Sequence, residues 1–154
     1  MKVYMDYETY KRYSLYLADK IKKDGCDTLV AITRGGISAG HIIAKELGMP
    51  LYYYFPNYDQ IFPYPPNAKK MAFIEDLIAQ GRTLQNVKDY FDRQWFPINW
   101  HFYTILQDAY FENDPKVTYT VKTKDWIVFP YESYNAVIEN DRGLFREGTD
   151  QYGK

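Results

Sequence analysis

The sequence predicts an α/β fold with a mostly parallel central sheet flanked by helices on both faces. Three observations support this prediction. Short apolar runs rich in strand-forming residues alternate along the chain with amphipathic segments of helical period. This alternation is typical of parallel strands joined by right-handed helical crossovers. Glycine-containing turns directly follow two of the apolar runs, and ligands bind at the carboxyl ends of strands in sheets of this kind.

The first half of the chain predicts two helices and two strands. Apolar and aromatic side chains recur every three or four residues in Tyr7–Lys23, which indicates an amphipathic helix. Thr28–Ile32 is a continuous apolar run, as expected for a strand buried on both faces. A second helix is predicted over Ile37–Leu47, followed by Gly48, and Leu51–Phe55 predicts the next strand.

The second half begins with a segment rich in proline and aromatic residues, Asn57–Lys70, which predicts a loop. Five more elements are predicted after it: a strand over Met71–Glu75, a helix from Thr83 to about Phe91, and strands over Trp100–Leu106, Val117–Val121 and Asp125–Phe129. Beyond Tyr131 the chain becomes polar, which predicts a short helix and then a frayed tail at about 140–154. Because no repeat or linker divides the chain, residues 1–154 are predicted to form a single domain.

The composition excludes several classes of function. The 19 Lys and Arg residues are balanced by 20 Asp and Glu residues, for a net charge of −1, so no basic field favours nucleic acid. No apolar run approaches the roughly 20 residues that a membrane span needs. The single cysteine, Cys26, cannot form an intrachain disulfide and fits a reducing compartment, so we expect a cytoplasmic protein. Some of the 17 tyrosines are expected at the surface, as a subunit interface or a stacking site.

The most informative segment is Phe73–Thr83, in which an apolar strand ends in Glu75 and Asp76 and a short turn containing Gly81 leads into a helix. This order places two carboxylates and a row of backbone N–H donors at the edge of the sheet where ligands bind. A ribose phosphate matches these groups, since the acids can address its hydroxyls or a metal while the turn holds its 5′-phosphate. The alternative is that the acids only cap the turn. However, two carboxylates at the end of an apolar strand are costly unless they bind a metal or donors.

Thr33–Gly36 is a second glycine-containing turn that follows a buried strand and opens a helix. Gly35 and Gly36 let the backbone approach an anion closely, and the guanidinium of Arg34 offers several donors to phosphate oxygens. The alternative is an ordinary strand-to-helix turn in which Arg34 is a solvated surface charge. Taken alone, the turn favours that alternative.

Trp126 opens the last apolar run, Trp126–Glu132. An aromatic ring near the ligand edge of the sheet can stack on a flat heterocycle. From the residues alone, a place in the core is an equally good interpretation of Trp126 and Phe129.

Together these segments resemble the type I phosphoribosyltransferases, most closely the hypoxanthine and xanthine-guanine members. Phe73–Thr83 resembles the phosphoribosyl-pyrophosphate signature of that family, Ile32–Gly36 resembles its pyrophosphate loop, and Trp126–Glu132 resembles its base-stacking segment. The resemblance extends over roughly residues 7–132, and the three segments keep the order and spacing of the family.

The resemblance implies the type I phosphoribosyltransferase fold with a small base-binding hood, built from a segment at about 107–135. It implies transfer of a 5-phosphoribosyl group from phosphoribosyl pyrophosphate to a purine-type base, as in purine salvage, with release of pyrophosphate. The implied cofactor is Mg²⁺. Family members are often dimers or tetramers, so a homo-oligomer is expected.

The same resemblance implies roles for individual residues. Glu75, Asp76 and Arg34 are the implied catalytic residues, and the two acids are implied to hold the metal directly or through water. Further implied contacts are to the 5′-phosphate (Ala79, Gln80, Gly81, Arg82 and Thr83), to pyrophosphate (Arg34, Gly35 and Gly36) and to the base (Gln107, Trp126 and Ile127).

Three positions depart from the family pattern. Ala79 stands where the 6-oxopurine members usually place an aspartate assigned to proton transfer at the base, and Gln80 replaces a threonine of the phosphate loop. Gln107 stands where a lysine usually meets the purine 6-oxygen, and an amide can donate as well as accept. Ala79 and Gln80 keep open a second hypothesis, a non-catalytic nucleotide- or phosphoribosyl-pyrophosphate-binding regulatory protein. A response-regulator-like domain with a phosphorylatable Asp76 ranks last, because it leaves the other two segments unexplained.

Overall fold

The computed structural model describes residues 2–95 and 97–132 of the chain. Three helices and eight strands lie entirely within these ranges, and residues 130–132 are also helical. The helices are α1 (Tyr7–Lys23), α2 (Ile37–Leu47) and α3 (Arg82–Asp92); the strands are β1 (Lys2–Tyr4), β2 (Thr28–Ile32), β3 (Leu51–Phe55), β4 (Gln60–Phe62), β5 (Lys70–Ile78), β6 (Asn99–Asp108), β7 (Val117–Thr123) and β8 (Trp126–Val128). The helix expected beyond Tyr131 and the tail at 140–154 fall largely or wholly outside the described residues.

Six of the described strands form one sheet in the order β4-β3-β2-β5-β6-β7. Every neighbouring pair in this sheet is parallel except β3 and β4, which run antiparallel at one edge. All six strands lie within a compact unit formed by residues 11–124. The prediction of a mostly parallel central sheet is confirmed.

Helices cover both faces of this sheet. Val30 and Ile32 of β2 belong to a buried apolar cluster that also contains Leu84 and Val87 of α3. Successive side chains of a strand point to opposite faces, so Ala31 points away from that cluster. A Cβ atom built on Gly40 of α2 would lie 3.0 Å from the Cβ atom of Ala31, which places α2 on the opposite face. The prediction of helices on both faces is therefore confirmed.

The segment predicted as a loop contains an additional strand. Helices α1 and α2 and strands β2 and β3 have the bounds that the sequence predicts, but β4 forms inside Asn57–Lys70 and pairs with β3, with Phe62 opposite Tyr53. The prediction of a loop throughout this segment is wrong. A strand of three residues is too short for side-chain alternation to reveal it in the sequence.

Strand β5 is longer than predicted. It pairs with β6 as far as Ile78, which lies opposite Gln107, so Asp76 and Leu77 are strand residues. The prediction that the strand ends at the two carboxylates is wrong, because the backbone pairing with β6 continues for three residues beyond Glu75.

A second compact unit contains residues 2–10 and 125–132 of the described chain. Here β1 and β8 pair in parallel, with Val3 opposite Ile127. Tyr10 meets Phe129 edge to face at 5.9 Å between ring centroids, and Phe129 stacks on Tyr131 at 5.7 Å. Strand β1 was not predicted, because three residues are too few to show a side-chain pattern. The single domain over residues 1–154 stays a prediction.

Several large apolar side chains are exposed, among them Tyr58, Trp95 and Tyr110. Their exposure agrees with the expectation that some aromatic residues lie at the surface, and assembly into a dimer or tetramer stays a prediction. In the part of the chain that the structure describes, none of the helices is long and apolar enough to cross a membrane.

Candidate active site at the ends of strands β2 and β5

Two loops and two carboxylates meet where strands β2 and β5 end. The strands are parallel neighbours, with Ala31 paired to Ile74, so their carboxyl ends lie at the same edge of the sheet. Thr33–Gly36 leads from β2 into α2, and residues 79–81 lead from β5 into α3. The sequence-predicted pyrophosphate and phosphate segments therefore lie at neighbouring positions along this edge.

Both carboxylates lie against the backbone of Gly35. A Cβ atom built on this glycine would lie 2.5 Å from Glu75 Oε1 and 2.7 Å from Asp76 Oδ1, closer than a side chain can tolerate. Because successive side chains of a strand point to opposite faces of the sheet, the sequence left open whether both acids serve one site. Their shared contact with Gly35 brings them together, so the two carboxylates and the first loop form one cluster.

Glu75 is the more deeply buried of the two acids, with 8% of its surface exposed. Its Oε1 accepts a hydrogen bond from the backbone N–H of Asp76 at 3.0 Å. Burial raises the pKa of Glu75 well above its usual range, and the negative charge of Asp76 raises it further. A cation or a set of hydroxyl donors at this point would lower the cost of the two charges.

The first loop approaches β5 too closely for any side chain at Gly36. A Cβ atom there would collide with the carbonyl oxygen of Ile74 and would lie 2.9 Å from the backbone nitrogen of Ile32. The loop is fastened on its other side by Thr33, whose backbone N–H and hydroxyl both donate to the carbonyl oxygen of Tyr54, at 3.0 and 3.1 Å. The peptide bond between Thr33 and Arg34 is cis, and the Arg34 side chain is exposed.

The second loop presents backbone amides at the start of α3. Gly81 has φ +79°, in the left-handed region, and no side chain among the described residues caps the helix at this position. The first amides of an uncapped helix have no partner within the helix, and the helix dipole favours an anion there. Ala79, Gln80 and Arg82 are exposed, and Thr83 is partly exposed, so a ligand can reach this turn.

Two residues at this edge escaped the sequence analysis. Leu77 follows the two acids and is 40% exposed, an unusual state for a leucine inside a central strand. Phe111 contacts Gly81: a Cβ atom on that glycine would lie 2.6 Å from Phe111 Cε2. Leu77 was missed because the predicted strand ended at Glu75, whereas β5 continues to Ile78. Nothing in the sequence around Phe111 indicates its contact with Gly81.

Gln107 is completely buried. Its side-chain Nε2 donates to Asn113 Oδ1 at 2.9 Å and to the carbonyl oxygen of Phe111 at 3.4 Å. Its Oε1 is buried with no hydrogen-bond partner in the described part of the protein. The amide thus supports the segment that follows β6, and a contact of Gln107 with a base stays a prediction.

Trp126 and Ile127 are partly buried on β8, opposite Lys2 and Val3 of β1. They belong to the second compact unit, whereas the carboxylates and both loops belong to residues 11–124. Their role in stacking on or contacting a base stays a prediction.

The donors at this edge restrict the metal that would fit. Among the described residues, no group of three or more His, Cys, Asp or Glu side chains is arranged to hold a metal ion. Two adjacent carboxylates suit Mg²⁺, which keeps several waters and is commonly bound through one or two carboxylates together with substrate phosphates.

The mostly parallel sheet with helices on both faces agrees with the fold of the type I phosphoribosyltransferases. No protein-family model matches the sequence, and no curated protein matches it at the level of sequence. Solved structures do match: the fold is similar to that of a Helicobacter pylori xanthine-guanine-hypoxanthine phosphoribosyltransferase, with a TM-score of 0.73 and 17% identity over 91% of this chain and 99% of that one.

Two further solved structures show the same fold. A purine phosphoribosyltransferase from Pyrococcus horikoshii Ot3 has a TM-score of 0.68 and 21% identity, over 85% of this chain and 93% of that one. A protein of Neisseria gonorrhoeae with bound ppGpp has a TM-score of 0.68 and 17% identity, over 94% of this chain and 96% of that one. The predicted fold is therefore confirmed.

The two loop glycines are expected to respond differently to alanine. Gly36→Ala forces a methyl group against backbone atoms of β2 and β5, and we expect it to lower the free energy of unfolding by about 1–3 kcal/mol or more. Gly35→Ala meets only carboxylate side chains, which can rotate away, so we expect a smaller loss. Urea denaturation of both variants measures the difference, and a Gly36→Ala variant as stable as the wild type would contradict the described approach of the loop.

The raised pKa of Glu75 predicts a pH-dependent stability in the absence of divalent cations. Because the folded protein holds this proton where the unfolded chain releases it, stability falls as pH rises above the unfolded pKa, about 4.3. Glu75→Gln removes that loss. We expect the variant to be more stable than the wild type at pH 8 and the difference to shrink at pH 5.

Urea denaturation at the two pH values tests this, with Glu46→Gln, on an exposed acid of α2, as the control. If the stability difference between Glu75→Gln and the wild type is the same at both pH values, burial does not raise the pKa of the Glu75 carboxyl.

Proposed function

We propose that this protein is a nucleobase phosphoribosyltransferase, which transfers a 5-phosphoribosyl group from phosphoribosyl pyrophosphate to a ring nitrogen of a purine-type base. The observation that carries the proposal is the convergence of Glu75 and Asp76 on Gly35, beside the uncapped start of α3. A sugar phosphate has hydroxyls for the acids and a phosphate for the helix start. The pyrophosphate group of phosphoribosyl pyrophosphate would lie at the first loop.

In this proposal the second loop fixes the sugar through its 5′-phosphate. The backbone amides of residues 79–83, with the hydroxyl of Thr83, donate to the phosphate oxygens. Gly81 takes the left-handed conformation that turns the chain from β5 into α3. Holding the phosphate at one end of the sugar places the ribose hydroxyls beside the carboxylates, so the anomeric carbon is oriented for reaction.

The two acids act on the ribose ring. Glu75 and Asp76 accept hydrogen bonds from the two ring hydroxyls of the bound donor, which relieves the electrostatic cost that burial and mutual repulsion impose on them. Charge builds up on the sugar as the bond to pyrophosphate breaks, and the resulting oxocarbenium-like state is cationic. Two carboxylates held beside this ring favour that state over the neutral sugar.

The first loop receives the leaving group. The exposed side chain of Arg34 and the backbone of Gly35 and Gly36 belong to the loop that would receive pyrophosphate. Glu75 and Asp76 would hold Mg²⁺, directly or through water. When bound, this ion neutralises charge that develops on the departing pyrophosphate. The guanidinium of Arg34 would contribute a further positive charge.

The acceptor base is proposed to contact apolar surface. The exposed side chain of Leu77, next to Asp76, offers one apolar face at the site. Trp126 and Ile127 are proposed base contacts by the resemblance of their segment, as is Gln107. Ala79 offers no carboxylate to accept the proton that the base loses when its ring nitrogen is ribosylated, so solvent water or another group must accept it.

A second candidate function is nucleotide binding without turnover. Ala79 departs from the pattern of the 6-oxopurine members and Gln80 from the usual phosphate loop, and the Neisseria gonorrhoeae protein of similar fold has ppGpp bound. A nucleotide with a pyrophosphate group would satisfy the same loops and carboxylates. In that case the protein would act as a regulatory binding module.

One assay separates the two candidates. The protein is incubated with phosphoribosyl pyrophosphate, Mg²⁺ and, in turn, adenine, hypoxanthine, guanine and xanthine, and both nucleotide and pyrophosphate are measured. We expect nucleotide and pyrophosphate in equal amounts with at least one base. No product with any base, together with tight nucleotide binding in a calorimetric titration, would instead favour the regulatory module.

Asp76→Asn is expected to weaken binding of phosphoribosyl pyrophosphate in the presence of Mg²⁺ on the order of 10–100-fold, because it removes a charge from the metal and ribose site. The fold should persist, since Asp76 is only partly buried. Calorimetric titration measures the affinity, with Asp19→Asn, an exposed acid of α1, as the matched control. Unchanged affinity in Asp76→Asn would remove this residue from the proposed site.

A further inference from the structure

The ring of Phe111, a residue that follows β6, packs against the turn that joins β5 to α3. A Cβ atom built on Gly81 would lie 2.6 Å from Phe111 Cε2 and 3.1 Å from Cζ. The edge of the ring therefore touches the backbone of this glycine directly. Two features disfavour a side chain at position 81: the φ of +79° and the contact with the ring of Phe111.

Phe111 makes further contacts through its side chain and its backbone. Phe111 packs against the buried apolar cluster that contains Leu84 and Val87 of α3. Its backbone N–H donates to the carbonyl oxygen of Asp108 at 3.0 Å, which closes a turn immediately after β6. Its own carbonyl oxygen accepts from Gln107 Nε2. Phe111 is thus fixed by both its backbone and its side chain.

The rest of this segment is fastened to two further elements. Asn113 Oδ1 accepts hydrogen bonds from Gln107 Nε2 at 2.9 Å and from Lys122 Nζ of β7 at 3.0 Å. Asp114 forms an ion pair with Lys88 of α3 at 2.5 Å. Segment 109–114 therefore connects β6 and β7 to the helix whose first turn follows Gly81.

We propose that Phe111 is a positioning residue for the phosphate loop, an inference that rests on the proposed binding of a sugar phosphate at residues 79–83. The loop itself is exposed at Ala79 and Gln80, and its central glycine has the greatest backbone freedom of any residue type. The ring restricts Gly81 from one side, so that the amides on either side of it point at one anion. The phosphate then meets donors that are already arranged, which lowers the cost of ordering the loop on binding.

Gln107 takes a structural part in this arrangement. Its buried amide holds the carbonyl of Phe111 and the side chain of Asn113, and its own position is fixed by the pairing of β6 with β5 at Ile78. Ile78 is the residue directly before the loop. The strand pairing thus sets the ring and the loop relative to each other.

The experiment compares two substitutions of the ring with a matched one elsewhere. Phe111→Leu keeps an apolar side chain for the core but loses the flat edge that meets Gly81, and Phe111→Ala loses both. Phe91→Leu is the control, because Phe91 also packs against the same cluster but stacks on Trp100, at the opposite end of α3. Binding of ribose 5-phosphate and of phosphoribosyl pyrophosphate with Mg²⁺ is measured by calorimetry, and melting temperature reports the fold.

We expect Phe111→Leu to fold and to bind both sugar phosphates about tenfold more weakly, because the backbone amides of the loop are less well ordered before binding. Phe91→Leu should lose melting temperature but keep the wild-type affinities. In an active enzyme, KM for phosphoribosyl pyrophosphate should rise in Phe111→Leu while KM for the base stays unchanged. Equal affinities in Phe111→Leu and Phe91→Leu would overturn the proposal and leave Phe111 as a core residue.

A double-mutant cycle with Gly81→Ala tests the contact itself. In the wild type the new methyl group meets the ring and also sits at an unfavourable φ, whereas in Phe111→Ala only the second cost remains. We expect Gly81→Ala to weaken ribose 5-phosphate binding less in the Phe111→Ala background. Additive losses would overturn the proposal. Failure of the wild type to bind either sugar phosphate would instead overturn the proposed function on which it rests.

Discussion

The arrangement of the whole edge depends on the close approach of the loop after β2 to the last residues of β5. Gly36 lies so near the carbonyl oxygen of Ile74 that no side chain fits between them, and Gly35 lies directly against both carboxylates. Parallel pairing of β2 with β5 brings the two segments side by side. The glycines then let the backbone replace side chains as the wall of the site. The backbone of the loop therefore lies directly beside the two carboxylates.

This approach gives the acids their electrostatic character. Glu75 is enclosed by strand and loop, and burial together with the charge of Asp76 raises its pKa well above the usual range. Such a pair is costly in the ligand-free protein and becomes favourable when hydroxyls or a cation are present. A buried carboxyl with a raised pKa beside a second acid is typical of functional sites. The uncapped start of α3 adds a positive counterpart at a neighbouring position.

The sequence predicted the elements whose signal is local. Helix α1 and strand β2 follow from side-chain periodicity and from a continuous apolar run, and the acids and glycine turns are legible because their residue types are unusual in those places. Strand β4 and the end of β5 depend on pairing with distant residues, which the sequence does not display. The contact of Phe111 with Gly81 and the burial of Gln107 likewise arise from tertiary packing. Gln107 stands at a position where resemblance implies a base contact, yet its amide supports a neighbouring segment.

The most direct test of the account is a crystal structure of the protein soaked with ribose 5-phosphate and Mg²⁺. The account predicts the phosphate against the amides of residues 79–83 and the ribose hydroxyls against Glu75 and Asp76. A sugar phosphate bound elsewhere, with these two carboxylates facing only solvent or protein, would contradict it.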